Sequence, residues 1–198
     1  MASSSGQKWK SLKRFLSVNP PEFHGLVDPI AVSDWILGIE NIFKICQTSE
    51  DHKVPYASLL LRANALHWWS TITSDDGKET MKWEEFKDLI FNNFSPKNLM
   101  LRLKERFTNL RQGNMSVRCY TNEFLKLSRF ASDEVLTNER KIERFVQGLD
   151  IDVHMPRFFN NPITFEEVVE RALLAEDDIL TFGNKEDARP KKARKRRS

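Results

Sequence analysis

Seven basic side chains crowd the nine positions from Arg189 to Arg197: Arg189, Lys191, Lys192, Arg194, Lys195, Arg196 and Arg197. No acidic residue stands among them. Their chemistry is phosphate neutralisation with release of counterions. No aromatic residue interleaves the run, so base stacking and sequence preference are not expected of it. The stretch KKARKRRS fits a nuclear-import signal equally well, and both readings stand. The formal net charge of the chain is +3, so these seven leave the remainder at −4. A mildly acidic body with a basic tail points to a nucleic acid or an import receptor as partner.

Other residues with chemical potential are poorly placed for it. His24, His52, His67 and His154 are scattered, and His67 has no second ligand one helical turn away, so no metal is expected. The carboxylate pairs Glu84-Glu85, Glu166-Glu167 and Asp177-Asp178 are adjacent, and adjacent helical residues diverge around the axis. They read as solvated faces rather than acid/base dyads. Cys46 and Cys119 exclude a disulfide framework and read as thiols in a reducing compartment. No nucleophile elbow, phosphate loop or zinc-protease motif occurs. The chain is expected to be no enzyme, with no cofactor and no small-molecule substrate. It lacks an apolar run long enough for a bilayer and an N-terminal apolar region of the secretory kind, so neither membrane contact nor secretion is expected.

Gln112-Gly113 has more to offer. A Gln amide carries two donors and an acceptor and could tie one helix end to the next helix start. An ordinary helix–helix turn explains the pair equally well. The elements around it are helical throughout. Ser33 is expected to cap a helix bearing Trp35, Ile39, Ile42, Phe43 and Cys46. A second helix is expected from Val54 to Ile72, with Pro55 in its first turn and Leu61, Ala65 and Trp68 inward. Trp69 is rotated about 100° from Trp68, so one ring should enter the core and the other cover a flank or another subunit. After a turn at Ser74 to Gly77, Trp83, Phe86 and Ile90 form the face of a third helix that Pro96 stops. A fourth, Leu99 to Leu110, buries Leu99, Leu103, Phe107 and Leu110, with Gly113 as its left-handed cap.

Ser116 should start a fifth helix with Val117, Tyr120, Phe124 and Leu127 inward. Thr137 or Asn138 should start a sixth with Ile142, Phe145, Val146 and Leu149. Thr164 to Glu167 reads as a capping box stapled by Ile163 and Val168, opening a helix that buries Val168, Ala172, Leu173 and Ile179. Residues 1–20 are polar and basic. They read as a disordered arm, since a helix so short is marginal alone; the other reading is an amphipathic helix on Trp9, Leu12 and Leu16. Seven Gly and no strand-like alternation complete an all-α expectation.

Several short pieces, in order, carry a resemblance. They are Pro21 to Gly25 with Asp28 and Trp35; Lys53-Val54, Tyr56-Ala57 and Leu61; Ala65-Leu66 with Trp68-Trp69; and Trp83, Phe86 and Phe94. Leu110 to Gly113, Ser116-Val117, Tyr120 and Phe124 follow, then Phe145-Val146, Gly148-Leu149, Thr164-Phe165, Ala172 and Glu176. Together they resemble the capsid region of the Gag protein of gypsy-class long-terminal-repeat retrotransposons, in its plant-like form. The segment with Gln112, Gly113, Ser116, Tyr120 and Phe124 is similar to the major homology region of retroviral capsids.

The resemblance implies two small helical lobes, an N-lobe over 21–96 and a C-lobe over 97–180. A basic disordered arm (1–20) and a basic disordered tail (181–198) flank them. It also implies self-association into particles that package RNA, in the cytoplasm or, through the tail, the nucleus. Trp69 and Trp83 are the candidate assembly or lobe contacts. A host adaptor or nuclear nucleic-acid-binding protein that does not assemble is the alternative. Such Gag proteins commonly continue into a zinc knuckle, and no such Cys-His pattern occurs here. The tail therefore reads as a basic linker or as the RNA contact itself.

Overall fold

The computed structural model describes residues 2–73, 81–150 and 164–187, with side chains for 8–73, 81–150 and 164–181. Among them nine helices and no strand occur: α1 Ala2–Ser17, α2 Pro29–Cys46, α3 Glu50–Ser58, α4 Ala63–Thr73, α5 Trp83–Phe94, α6 Lys97–Thr108, α7 Val117–Ser128, α8 Asn138–Gly148 and α9 Phe165–Asp187. The protein is all-α. Its internal contacts divide it into two units, Met1–Leu101 and Arg102–Ser198, and the division falls inside α6. The turn expected at Ser74 to Gly77, the staple residue Ile163, and residues 188–198 of the basic tail lie outside the described residues, while 181–187, expected to be disordered, continue α9.

The first unit is built on aromatic rings. Phe15 meets Phe43 and Tyr56, Phe43 meets Trp83, Trp83 stacks on Phe86, and Phe86 meets Trp35. Phe23 continues the run to Trp35 and Phe94. Edge-to-face pairs of this kind add about 0.5–1.5 kcal/mol each beyond the area they bury.

Three expectations for this unit need correction. The first concerns the start of α2. Asp28, not Ser33, is the cap: its carboxylate accepts from the Ile30 N–H at 2.9 Å, and Pro29 takes the first helical position. Proline there loses no hydrogen bond and arrives with its φ preset, so the helix starts one turn earlier and buries Val32.

The second concerns the stretch from Val54 to Ile72, which is two helices. Leu60 and Leu61 leave the helical path because their backbone pairs with Phe23, through Phe23 N–H to Leu60 C=O at 3.0 Å and Arg62 N–H to Phe23 C=O at 2.8 Å. Because α3 starts at Glu50, ahead of the expected Val54, Pro55 lies inside it rather than in a first turn.

The third concerns residues 1–20. The arm expected to be disordered contains a docked helix. Phe15 is fully buried, Leu12 packs on the core, and the Tyr56 hydroxyl donates to the Lys8 carbonyl at 3.3 Å. A helix marginal in isolation is stabilised by tertiary packing of its apolar face.

In the second unit, Ser116 and Thr137 cap α7 and α8 through their side chains, as expected. The Thr164–Glu167 box closes in both directions, at 3.3 and 3.2 Å. Phe107, Tyr120, Phe124, Phe145 and Phe165 form the ring cluster. Leu99 and Leu110 are only half-buried, and Leu110 lies past the end of α6. Ile142, Val146 and Leu173 are also half-buried, and Ile179 is 43% exposed. The buried face of α9 therefore ends at Ala175.

Candidate functional site

Pro21 to Gly25 lies across the first unit as a short strap. The Trp35 indole donates to the Pro21 carbonyl at 2.9 Å, and the Phe23 ring enters the core with 4% exposure. Gly25 sits at φ +77°, with space for a Cβ closed by the Ala65 nitrogen at 2.5 Å. Only glycine accepts both the backbone angle and that approach. The strap thus brings Pro21, Phe23, Gly25 and Trp35 together in one structural unit.

Trp68 and Trp69 lie side by side, with ring centroids 6.0 Å apart, rather than on separate faces. Trp68 meets Phe94 edge-on with ring centroids 5.3 Å apart, and Trp69 meets Phe86 at 5.1 Å. Both rings are half-buried and both cap the same core. Neither is the fully interior ring that was expected.

Trp83 is a correction of another kind. It is 2% exposed, held between Phe43 and Phe86, and its indole donates to Glu40 at 3.0 Å. Its ring is almost wholly taken up by the core, which does not fit the exposed assembly contact expected of it. A groove of about 370 Å³ beside it is lined by Glu40, Phe43, Lys44, Gln47, Thr48, Lys53, Trp83 and Glu84.

Glu40 is the electrostatic centre there. Burial raises its pKa, but hydrogen bonds from Lys87 (2.8 Å) and Trp83 outweigh that and hold the carboxyl below its ordinary value. Burial likewise lowers the Lys87 pKa, and the hydrogen bonds to Glu40 and Glu84 more than compensate.

In the second unit Gln112 does the tying its chemistry allows. It is 5% exposed. Its backbone N–H donates to the Gly148 carbonyl at 2.6 Å, and its amide donates to Met115 C=O at 3.1 Å. Its side-chain oxygen accepts from the Asp150 N–H at 2.8 Å. Its own carbonyl accepts from the Met115 N–H. The partner end belongs to α8, not α6. Gly113, at φ +52°, is a residue of this turn rather than a helix cap.

Tyr120 is fully buried, and its hydroxyl donates to the Phe145 carbonyl at 2.8 Å. Burial pushes its pKa up to about 12. Phe124 packs beside it, and Ser116 caps α7. Gln112, Ser116, Tyr120 and Phe124 therefore serve one junction.

Three partners of that junction were not assigned roles from the sequence. Glu176 accepts from the Val117 N–H at 2.7 Å, capping α7 from α9. Arg144 donates to the Phe107 carbonyl at 2.7 Å at the end of α6. Gly148 leaves room for the Tyr120 hydroxyl, which a Cβ there would strike. Gly148 and Glu176 belong to the pieces that carry the resemblance; Arg144 carried no signal.

Among the described residues no group of three or more His, Cys, Asp or Glu could hold a metal ion, and no helix is long and apolar enough to cross a membrane.

Comparison with known proteins adds a likeness over the first unit. Residues 17–95 match the family described as "Retrotransposon-derived protein PEG10, N-terminal capsid-like domain". Two solved structures are similar at 21% identity and 82% coverage of this chain. They are a dArc1 capsid domain dimer, with 98% of its chain covered and a TM-score of 0.37, and the dArc1 capsid, with 96% covered and a TM-score of 0.47. No curated protein matches. The matched residues run from the last residue of α1 to the end of α5, taking in the strap, both Trp seats and the Trp83 core. Residues 17–95 are thus similar to a retrotransposon-derived N-terminal capsid-like domain.

Proposed function

We propose that this is a structural protein whose copies associate into capsid-type particles and enclose RNA. The observation that carries the reading is the capsid-like match over residues 17–95, within a first unit built as a closed aromatic core. Two units of about a hundred residues each have modest cores, and small domains gain stability by association. Many weak contacts suffice, because a shell adds them up. Trp69, half-buried on the outside of the core, is the contact candidate retained from the sequence.

Arg189, Lys191, Lys192, Arg194, Lys195, Arg196 and Arg197 supply the RNA contact, with a salt slope on single strands of at most about 5. The gypsy-class, plant-like assignment and a cytoplasmic location belong to the same proposal. The test is light scattering and negative-stain microscopy of the purified chain across salt and concentration, with the absorbance ratio reporting bound RNA. Particles containing RNA are expected. A strict monomer with no particles would overturn the reading and favour a non-assembling adaptor. Deleting 189–198 should weaken RNA binding in vitro and lower its salt slope. If it abolishes only nuclear entry in cells, the tail is an import signal.

A further inference from the structure

We propose that the outward face of α1 is a second nucleic-acid contact, built to hold single-stranded RNA by one stacked base and a few phosphates. Helix α1 carries Lys8, Lys10, Lys13 and Arg14 and no acidic residue. None of the four takes part in an ion pair among the described residues. Phe15 fixes which way the helix faces, because it is fully buried in the core of the first unit. At 100° per residue, the direction opposite Phe15 falls between Lys13 and Lys10. Trp9 then lies on one flank and Arg14 on the other, and all four are exposed.

Trp9 is 66% exposed. A large ring left in water among unpaired cations has the two elements of a single-strand site: a stacking platform and phosphate partners. From Trp9 to Arg14 the helix rises about 8 Å, the length of two to three stacked nucleotides at roughly 3.4 Å each. The tail has the charge for such binding but no ring. This face supplies what the tail lacks.

A membrane surface is the weaker occupant. The apolar face of α1, with Leu12 and Phe15, is already spent on the protein core. What remains apolar outside is the narrow pair Trp9 and Leu16, and an interfacial helix needs a broad apolar face. Duplex RNA is also disfavoured, since its bases are not free to stack on a side chain.

The test uses the full chain with the seven tail cations changed to Gln, so that only α1 is read. Anisotropy of a labelled 12-nucleotide oligo(U) is followed from low to moderate salt. W9A should weaken binding about fivefold or more, and W9F should restore most of the loss. K10Q/K13Q should lower the salt slope by about 1.4. Duplex RNA should respond to the lysine change but stay within twofold for W9A. Circular dichroism checks that the exposed substitutions leave the helices intact. Single-strand affinities within twofold of the parent for both variants would overturn the site, as would equal loss on duplex for W9A. Trp9-dependent binding to phosphatidylserine vesicles with RNA binding unchanged would overturn it in favour of a membrane. Particle formation is scored separately by microscopy, so failure to assemble does not decide this question.

Discussion

The two units solve the same problem, a small helical core, by different means. The first spends aromatic surface. Its rings run from Phe15 through Phe43, Trp83 and Phe86 to Trp35 and Phe23, and its polar ties sit at the margins. The second has five clustered rings but locks them with polar groups, the buried Gln112 and Tyr120 hydroxyl and the half-buried Arg144 guanidinium. Apolar packing is non-directional and tolerant of exchange. Buried hydrogen bonds are directional, and leaving one unpaired costs about 1–3 kcal/mol. The first unit should therefore respond chiefly to lost volume, and the second also to lost geometry. All five tryptophans, Trp9, Trp35, Trp68, Trp69 and Trp83, lie in the first unit, so tryptophan fluorescence reports that unit and amide exchange reports the second.

Core truncation should have the largest effect in both. Phe86→Ala and Phe145→Ala each remove a fully buried ring and should cost about 3–5 kcal/mol. Phe86→Ala should shift the fluorescence transition in urea, while Phe145→Ala should leave it in place and speed exchange of α7 and α8 amides. If Phe145→Ala moves the fluorescence transition equally, the units unfold together and the comparison fails.

Geometry comes next. In Gly148→Ala the new Cβ meets the Tyr120 hydroxyl and, at 3.0 Å, the Leu110 carbonyl, so a loss of about 1–3 kcal/mol is expected. Tyr120→Phe alone should cost about 1 kcal/mol. The double variant should lose less than the two singles added, because removing the hydroxyl relieves part of the clash. Strict additivity, measured by exchange of second-unit amides, would show that the hydroxyl is not what Gly148 accommodates. Gln112→Leu keeps bulk but strips the bonds to Asp150 and Met115, and should cost about 1–3 kcal/mol confined to the second unit.

The same contrast governs what could be read in advance. Apolar periodicity located most of the buried residues of α2, α5 and α7, because packing follows the 3.6-residue period that sequence displays. Local caps at Ser116, Thr137 and Thr164 were equally legible, since donor and acceptor lie three residues apart. What stayed hidden depends on distant partners. Leu60 and Leu61 leave the helix because Phe23 offers them a strand-like pairing. The helix α1 forms because Phe15 finds Phe43 and Tyr56. Trp83 had the residue type of an interface anchor, and only its burial shows that the core consumes it. At the junction, the donors and acceptor of Gln112 were evident, but its tie to α8 was not.

Titration sharpens the difference further. The pKa of Tyr120, pushed up to about 12 from an ordinary 10.0, makes the folded second unit hold its phenolic proton where the unfolded chain releases it. The stability that depends on the buried, protonated phenol is complete below pH 10 and falls as pH rises towards 12. Second-unit amide protection, corrected for intrinsic exchange, should decline across that window, and Tyr120→Phe should flatten the decline. An unchanged slope in the variant would remove Tyr120 from the account.

The acid side belongs to the first unit and should give the smallest effect. Glu40 has its folded pKa lowered below 4.5, since the hydrogen bonds from Lys87 and Trp83 outweigh its burial. Its contribution is fully present above pH 4.5 and is lost as pH falls through the depressed folded value. Glu40→Gln keeps an acceptor for the Trp83 indole but removes the titration. The fluorescence-detected stability of the first unit should then fall less steeply below pH 4.5. Some slope should persist through Glu50, whose pKa is also lowered, chiefly by its hydrogen bond from Lys53. Partial exposure of Glu40 and Lys87 keeps the change small, because solvent screens such pairs. If the acid slope is identical in the variant, the Trp83–Glu40–Lys87 contact is not held in solution, and the polar margin of the first unit contributes only through packing.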